Sequence, residues 1–203
     1  MLDTNYIRYN ATHDQKIVVH YQDERDWLVK EQAEALGLQV LTCNQSVADV
    51  FGVDVVKDMS VLRSTHLDAI ENGEHVFFIE YGSHTLDWIR LCLDIPKRDF
   101  DSGYAGLIRV PHDCWLKANP RSTYAKRYVF KTLRAAFEDR VSACLNGMIY
   151  EACVETEDDD VWYSGYLDPQ EALADAMRDY PEIQYKPEDF SAVTIYTLRE
   201  ECH

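Results

Sequence analysis

Apolar and polar positions run through this chain in two rhythms, one of period two and one of period near 3.6. Lys16 to Tyr21, with its β-branched centre Ile17-Val18-Val19, predicts a strand, and Tyr6 to Tyr9 predicts a shorter one across the polar turn Asn10-Ala11-Thr12-His13-Asp14. Asp23 to Leu36 predicts a helix that Asp23 caps, Glu24 and Asp26 complement at the N-terminal dipole, and Gly37 closes. Leu38 to Thr42 and His75 to Tyr81 read as strands. Gln45 to Phe51, Ser60 to Ile70 and the stretch from Ser83 or His84 to Leu93 read as short helices.

The second half is more regular. Tyr104 to Val110 predicts a strand led by Asp101-Ser102-Gly103. Ser122 to Leu145 predicts the longest helix, capped by Ser122 or Thr123, because Tyr128, Val129, Leu133, Ala136, Phe137, Val141 and Cys144 recur at helical spacing. Asn146-Gly147 ends it and turns the chain back, so its apolar side is expected to cover one sheet holding both Tyr104 to Val110 and Met148 to Glu155. Met148 to Glu155 and Val161 to Gly165 predict a hairpin. Asp168-Pro169 opens a helix to about Asp179, with the aspartate as cap and the proline at its first position, and Val193 to Leu198 predicts a closing strand. Strands and helices mix without strict βαβ alternation. The expectation is one α+β domain over 1–203, a mixed or mostly antiparallel sheet packed by one long helix and several shorter ones. Lys97-Arg98-Asp99 marks a candidate sub-boundary near 95–101.

Charge changes the functional picture. The net charge is −16. A nucleic-acid binder needs clustered Lys and Arg to displace counterions from phosphates, so direct nucleic-acid binding and anionic membranes are disfavoured. A basic protein is the partner such a surface attracts, though acidity also simply confers solubility. Residues 101–140 carry eight basic and four acidic side chains, with Lys126, Arg127, Lys131, Arg134 and Arg140 on the long helix. Residues 141–203 carry three basic and fifteen acidic ones. Six cysteines have no C-x-x-C spacing, no leader-like apolar run opens the chain, and no stretch nears the ~18 apolar residues that cross a bilayer. Reduced thiols in a cytoplasm, and no membrane, are the expectation.

The segment from about Leu86 to Met177 resembles an uncharacterised family of phage and mobile-element proteins. The resemblance rests on Asp101-Ser102-Gly103-Tyr104-Ala105-Gly106-Leu107-Ile108, on a long charged helix ending at Leu145, Gly147 and Tyr150, and on Trp162-Tyr163-Ser164-Gly165-Tyr166-Leu167-Asp168 after an acidic hairpin. Phe100 and Val161 stand where that family usually has a tryptophan-like residue and a cysteine. The resemblance implies an accessory role against host systems and carries over no activity.

No chemistry is legible in short motifs. The Asp-Ser-Gly turn lacks a G-x-S-x-G elbow and reads as structure: Asp101 bonds the turn, Gly103 takes a positive φ, and Gly106 admits a neighbouring strand. The seven histidines lack ligand spacing, Glu155 to Asp160 lacks the glycine of a calcium loop, and no phosphate or dinucleotide loop is present, so no catalytic residue, metal site or cofactor is assigned. The leading expectation is an antagonist of a host defence protein, of anti-CRISPR or anti-restriction type, that presents Glu155, Glu157, Asp158, Asp159, Asp160, Asp168, Glu171, Asp175 and Asp179 to a basic, nucleic-acid-handling partner as an acidic mimic of nucleic acid. The alternative is a small hydrolase or nucleotide-modifying enzyme. Its pocket would lie near the Asp-Ser-Gly turn, where His112, Asp101 or a cysteine such as Cys114 or Cys153 would converge.

Overall fold

Two separate antiparallel sheets organise this α+β chain, each with its own helices. The computed structural model describes residues 4–22 and 26–189. The expected cap Asp23 and closing strand Val193 to Leu198 lie outside the described residues. In chain order the elements are β1 (Ile7–Tyr9), β2 (Lys16–Tyr21), α1 (Asp26–Ala35), β3 (Gln39–Thr42), α2 (Gln45–Phe51), α3 (Met59–Glu71), β4 (His75–Ser83) and β5 (Asp87–Cys92). They continue as β6 (Ser102–Val110), α4 (His112–Ala118), α5 (Lys126–Leu145), β7 (Tyr150–Glu155), β8 (Asp160–Tyr166) and α6 (Pro169–Asp179).

The chain divides into a first unit, Met1–Asp23 with Met148–His203, and a second, Glu24–Gly147. The candidate sub-boundary near 95–101 falls inside the second unit. The first unit's sheet has the order β1-β2-β7-β8, the second's β3-β6-β4-β5, and every strand pair is antiparallel. Among the described residues no helix is long and apolar enough to cross a membrane.

In the first unit the period-two pattern decides the face. Ile17, Val19, Ala152 and Val154 point to one side and form a buried cluster with Ala172, Leu173 and Ala176 of α6. Asp168 caps α6, its carboxylate accepting from the Gln170 N–H at 2.8 Å, and Pro169 occupies the first turn, as the sequence leads one to expect.

In the second unit α5 supplies the core stripe. Val129, Leu133, Phe137, Val141 and Cys144 are buried, and Phe137 lies 5.8 Å from Phe51 of α2, ring centre to ring centre. Tyr128, counted in the apolar recurrence, is exposed, and the helix begins at Lys126 with Ala125 at the cap position and no side-chain cap bond. Ser122 and Thr123 instead belong to a connection that the sequence reading merged into α5. It follows α4, a seven-residue helix too short to show a period, whose Trp115 is wholly buried.

Two larger expectations are corrected. The segment from Ser83 or His84 to Leu93 contains strand β5. Ile89 and Leu91 are buried while Arg90 between them is exposed, an alternation of period two. The strands Tyr104 to Val110 and Met148 to Glu155 do not share a sheet, because β6 pairs with β3 and β4 while β7 pairs with β2 and β8.

The outer edge of β5 is closed by side chains. The N–H groups of Asp87, Ile89 and Leu91 donate to Asn146 Oδ1 at 2.9 Å, Ser142 Oγ at 3.2 Å and Glu138 Oε1 at 2.7 Å. Every second strand residue advances ~6.6 Å and every fourth helix residue ~6 Å, so a polar stripe at 138, 142 and 146 keeps step with the edge.

Two outcomes test this packing. Phe137→Ala is expected to cost ~3–5 kcal/mol, as truncation of a buried aromatic does, while exposed Lys131→Ala changes stability by about 0.5 kcal/mol or less. Chemical denaturation of both variants decides it, and a larger loss for Lys131→Ala would refute the facing of the helix. Glu138→Ala, which strands the Leu91 N–H, is expected to cost ~1–3 kcal/mol and to speed exchange of that amide, with Glu138→Gln largely preserving both.

Candidate functional site

Acidity is concentrated in the first unit. Residues 1–23 and 148–203 hold eighteen acidic and five basic side chains, a net of −13, whereas residues 24–147 hold eighteen and fifteen, a net of −3. All nine carboxylates singled out in the sequence belong to the first unit.

They play different parts there. The hairpin from β7 to β8 turns through Thr156–Asp159, held by the Thr156 hydroxyl donating to the Asp159 carbonyl at 2.7 Å and by the Asp159 N–H donating to the same hydroxyl at 3.2 Å. Those bonds use Asp159's backbone, and its carboxylate accepts from the Asp160 N–H at 2.8 Å. Glu157, Asp158, Asp159 and Asp160 are all exposed. Behind the tip, Glu155 is ion-paired with Lys16 Nζ at 2.9 Å, a contact the sequence reading did not anticipate because the two strands are far apart in the chain.

On α6, Asp168 is committed to its cap. Asp175 accepts from the Tyr166 hydroxyl at 2.8 Å and pairs with Arg178, and Asp179 accepts from the Tyr163 hydroxyl at 2.8 Å. Glu171 projects from the first turn, exposed. The helix acids therefore divide into carboxylates that tie α6 to β8 and carboxylates left to solvent. The alternation Val161, Tyr163 against Trp162, Ser164 carries the signal for Tyr163, while the register shift at Gly165 brings Tyr166 to the same face.

The face of the sheet away from α6 carries an apolar row that the sequence reading missed. Ile7 pairs with Val18, Val18 with Cys153, and Cys153 with Trp162, so one row crosses all four strands. Trp162 is 52% exposed, and its ring lies 5.4 Å from that of His20. Burial pushes the Cys153 thiol up to about 11, which keeps it protonated and removes it as a thiolate nucleophile near neutral pH.

The Asp-Ser-Gly turn of the second unit borders an open cleft of about 470 Å³ lined in part by Asn44, Tyr81, Arg98, Asp99, Asp101 and Ser102. The Ser102 hydroxyl donates to Glu80 Oε1 at 2.8 Å, and the nearest histidine contact of Asp101 is His84 Nε2 at 3.9 Å. Burial raises the Tyr81 phenol and lifts Tyr104 to about 12, so neither is a base at neutral pH. His112 lies elsewhere, against Asp113 at 3.0 Å and the Tyr124 ring at 4.6 Å, and no cysteine among the described residues lines the cleft. The expected convergence on the turn is not formed. Gly103 does not take a positive φ, since it sits in β6 opposite Tyr81. Asp101 contributes its carbonyl, which accepts from Ser83 N–H at 3.0 Å. Gly106 does admit its neighbour: a Cβ there would overlap the Leu41 carbonyl oxygen. Among the described residues no group of three or more His, Cys, Asp or Glu is placed to hold a metal ion.

Compared with family models, curated proteins and solved structures, the chain matches none.

The phenols set a pH dependence. Burial, then the Asp179 bond, pushes Tyr163 up to about 12, and the Tyr21 hydroxyl, then burial, does the same to Tyr150. Their folded pKa values exceed the ordinary 10.0, so the stability they contribute is fully present below pH 10 and is lost as pH rises to about 12. Denaturation midpoints taken across that window are expected to fall, and Tyr163→Phe to fall less steeply. Parallel slopes would show that Tyr163 titrates as an ordinary phenol.

Proposed function

We propose that this chain is an accessory protein of a phage or mobile element that binds a basic, nucleic-acid-handling host defence protein and inhibits it, through the acidic surface of its first unit. The observation that carries the reading is the charge division between the units, −13 against −3, with four consecutive exposed acids, Glu157 to Asp160, at one hairpin tip. Acids gathered on one unit produce a directed field, which steers a basic partner over about a Debye length and weakens with salt. The resemblance of Leu86 to Met177 to phage and mobile-element proteins supports the setting. Nucleic-acid mimicry is the form of inhibition this predicts: a carboxylate array entering a groove built for phosphates. The enzyme reading has less support, because neither His112 nor a cysteine among the described residues lines the cleft beside Ser102.

Glu157 and Asp158 are the carboxylates to reverse, since neither makes a hydrogen bond or ion pair among the described residues. A pull-down from bacterial host lysate at low and high salt, read by mass spectrometry, is expected to return a basic nucleic-acid-handling protein that high salt releases. Glu157→Lys with Asp158→Lys is expected to weaken that complex at least about tenfold and to flatten its salt dependence. Unchanged affinity in a complex that forms would refute the acidic-docking reading.

A further inference from the structure

Two four-stranded sheets present four edges, and three are answered within the chain. At β1 the Tyr9 N–H donates to the Tyr185 carbonyl at 2.8 Å and the Tyr185 N–H to the Tyr9 carbonyl at 3.0 Å. At β3, Thr42 bridges Val55 and its carbonyl accepts from the Val56 N–H at 2.8 Å. The β5 edge is met by Asn146, Ser142 and Glu138 of α5. Among the described residues the fourth edge, β8, pairs with β7 alone. Gly165 N–H donates to Gln22 Oε1 at 3.1 Å, where the register shifts, and among the described residues no backbone partner meets the outer side of β8.

Along Val161–Ser164 this edge lacks the usual protections, which are confined to its two ends. Exposed edges are blunted by lysine, proline, inward charge, a bulge or short length. Here Asp160 guards one end and Gly165, with φ 87°, the other. Between them Val161, Trp162, Tyr163 and Ser164 carry no charge and no proline, and three of the four are strong β-formers. Such a strand is a template for one more.

We propose that β8 accepts an extended, basic segment of the partner protein as a fifth strand of the first unit's sheet. The proposal rests on the reading that this unit docks a basic protein. Charge selects the occupant. A second copy would bring −13 against −13, whereas a segment rich in Arg or Lys meets Glu157, Asp158 and Asp160 at the start of the strand. Beside them the half-exposed Trp162 ring offers a platform for an aliphatic side chain or a guanidinium.

The test uses the full chain and a labelled peptide of about ten residues alternating arginine and valine, a length that covers a typical strand. Two further versions carry backbone N-methyl groups on the odd or the even residues, leaving side chains and charge unchanged. Anisotropy is expected to show binding of the parent peptide at low salt, a loss of at least about tenfold for one methylated version, and slowed amide exchange confined to β8. Equal binding by all three would overturn strand addition while leaving charge-driven docking intact. No binding by any of them would overturn both. Amide protection of 160–166 that rises with protein concentration alone would assign the edge to a second copy and overturn the basic occupant.

Discussion

Backbone hydrogen bonding at the edges of a sheet is the constraint on which this structure depends. A strand interior satisfies its N–H and C=O groups by pairing, and an edge strand is left with half of them. The second unit meets that demand with α5, whose polar stripe is offset around the helix by one or two residues from its core stripe. Leu133, Phe137, Val141 and Cys144 fill the interior, and Glu138, Ser142 and Asn146, one or two residues on, reach the edge of β5. One helix thus fixes both the core and the rim of its sheet. Glu138 is itself oriented by Arg134, which donates to both carboxylate oxygens at 2.9 and 3.0 Å. A basic residue of the long helix is thereby tied to the sheet through one intermediate.

The first unit solves a different problem with similar means. Its helix α6 is short on large apolar side chains: the buried set is Ala172, Leu173 and Ala176. Small residues bring the helix close to the sheet, and the phenols of Tyr163 and Tyr166 finish the contact by donating to Asp179 and Asp175. The acidity of α6 is therefore partly structural. A neutral phenol bound to a carboxylate adds no charge, so the unit stays strongly negative while its helix remains anchored.

Much of the fold was legible where a period ran long enough to register. Strand β2, helix α2 and the end of α6 at Asp179 fall where the alternation, the helical recurrence and the caps place them. The losses have physical causes. Strand β5 reads as a helix in the sequence because Trp88 and Leu91, three apart, fit one face of a helical turn, and the competing alternation Ile89-Arg90-Leu91 spans only three residues before pairing with β4 settles it. The joining of β6 and β7 into one sheet failed because local pattern specifies faces and not partners. β7 returns across more than a hundred residues to pair with β2. At the candidate site the sequence found the carboxylates by composition. It could not tell solvated ones from those held by Lys16, Tyr163 and Tyr166, since these contacts cross strands.

The acidity of the first unit and the edge of β8, which meets no backbone partner among the described residues, bear on one another. An uncharged, aromatic edge strand in a neutral protein would pair with its own copies, and the outcome would be dimers or aggregates. Placing that strand in a unit of net charge −13 makes self-pairing costly at any register, because each approaching copy brings the same field. The same field lowers the cost of approach for a basic chain. A lysine within β8 would have protected the edge too, but it would have abolished that selectivity by favouring acidic guests. Charge carried on the hairpin tip and on α6, outside Val161–Ser164, leaves those four positions uncharged, so under the proposed docking the field and not the strand would select among chains.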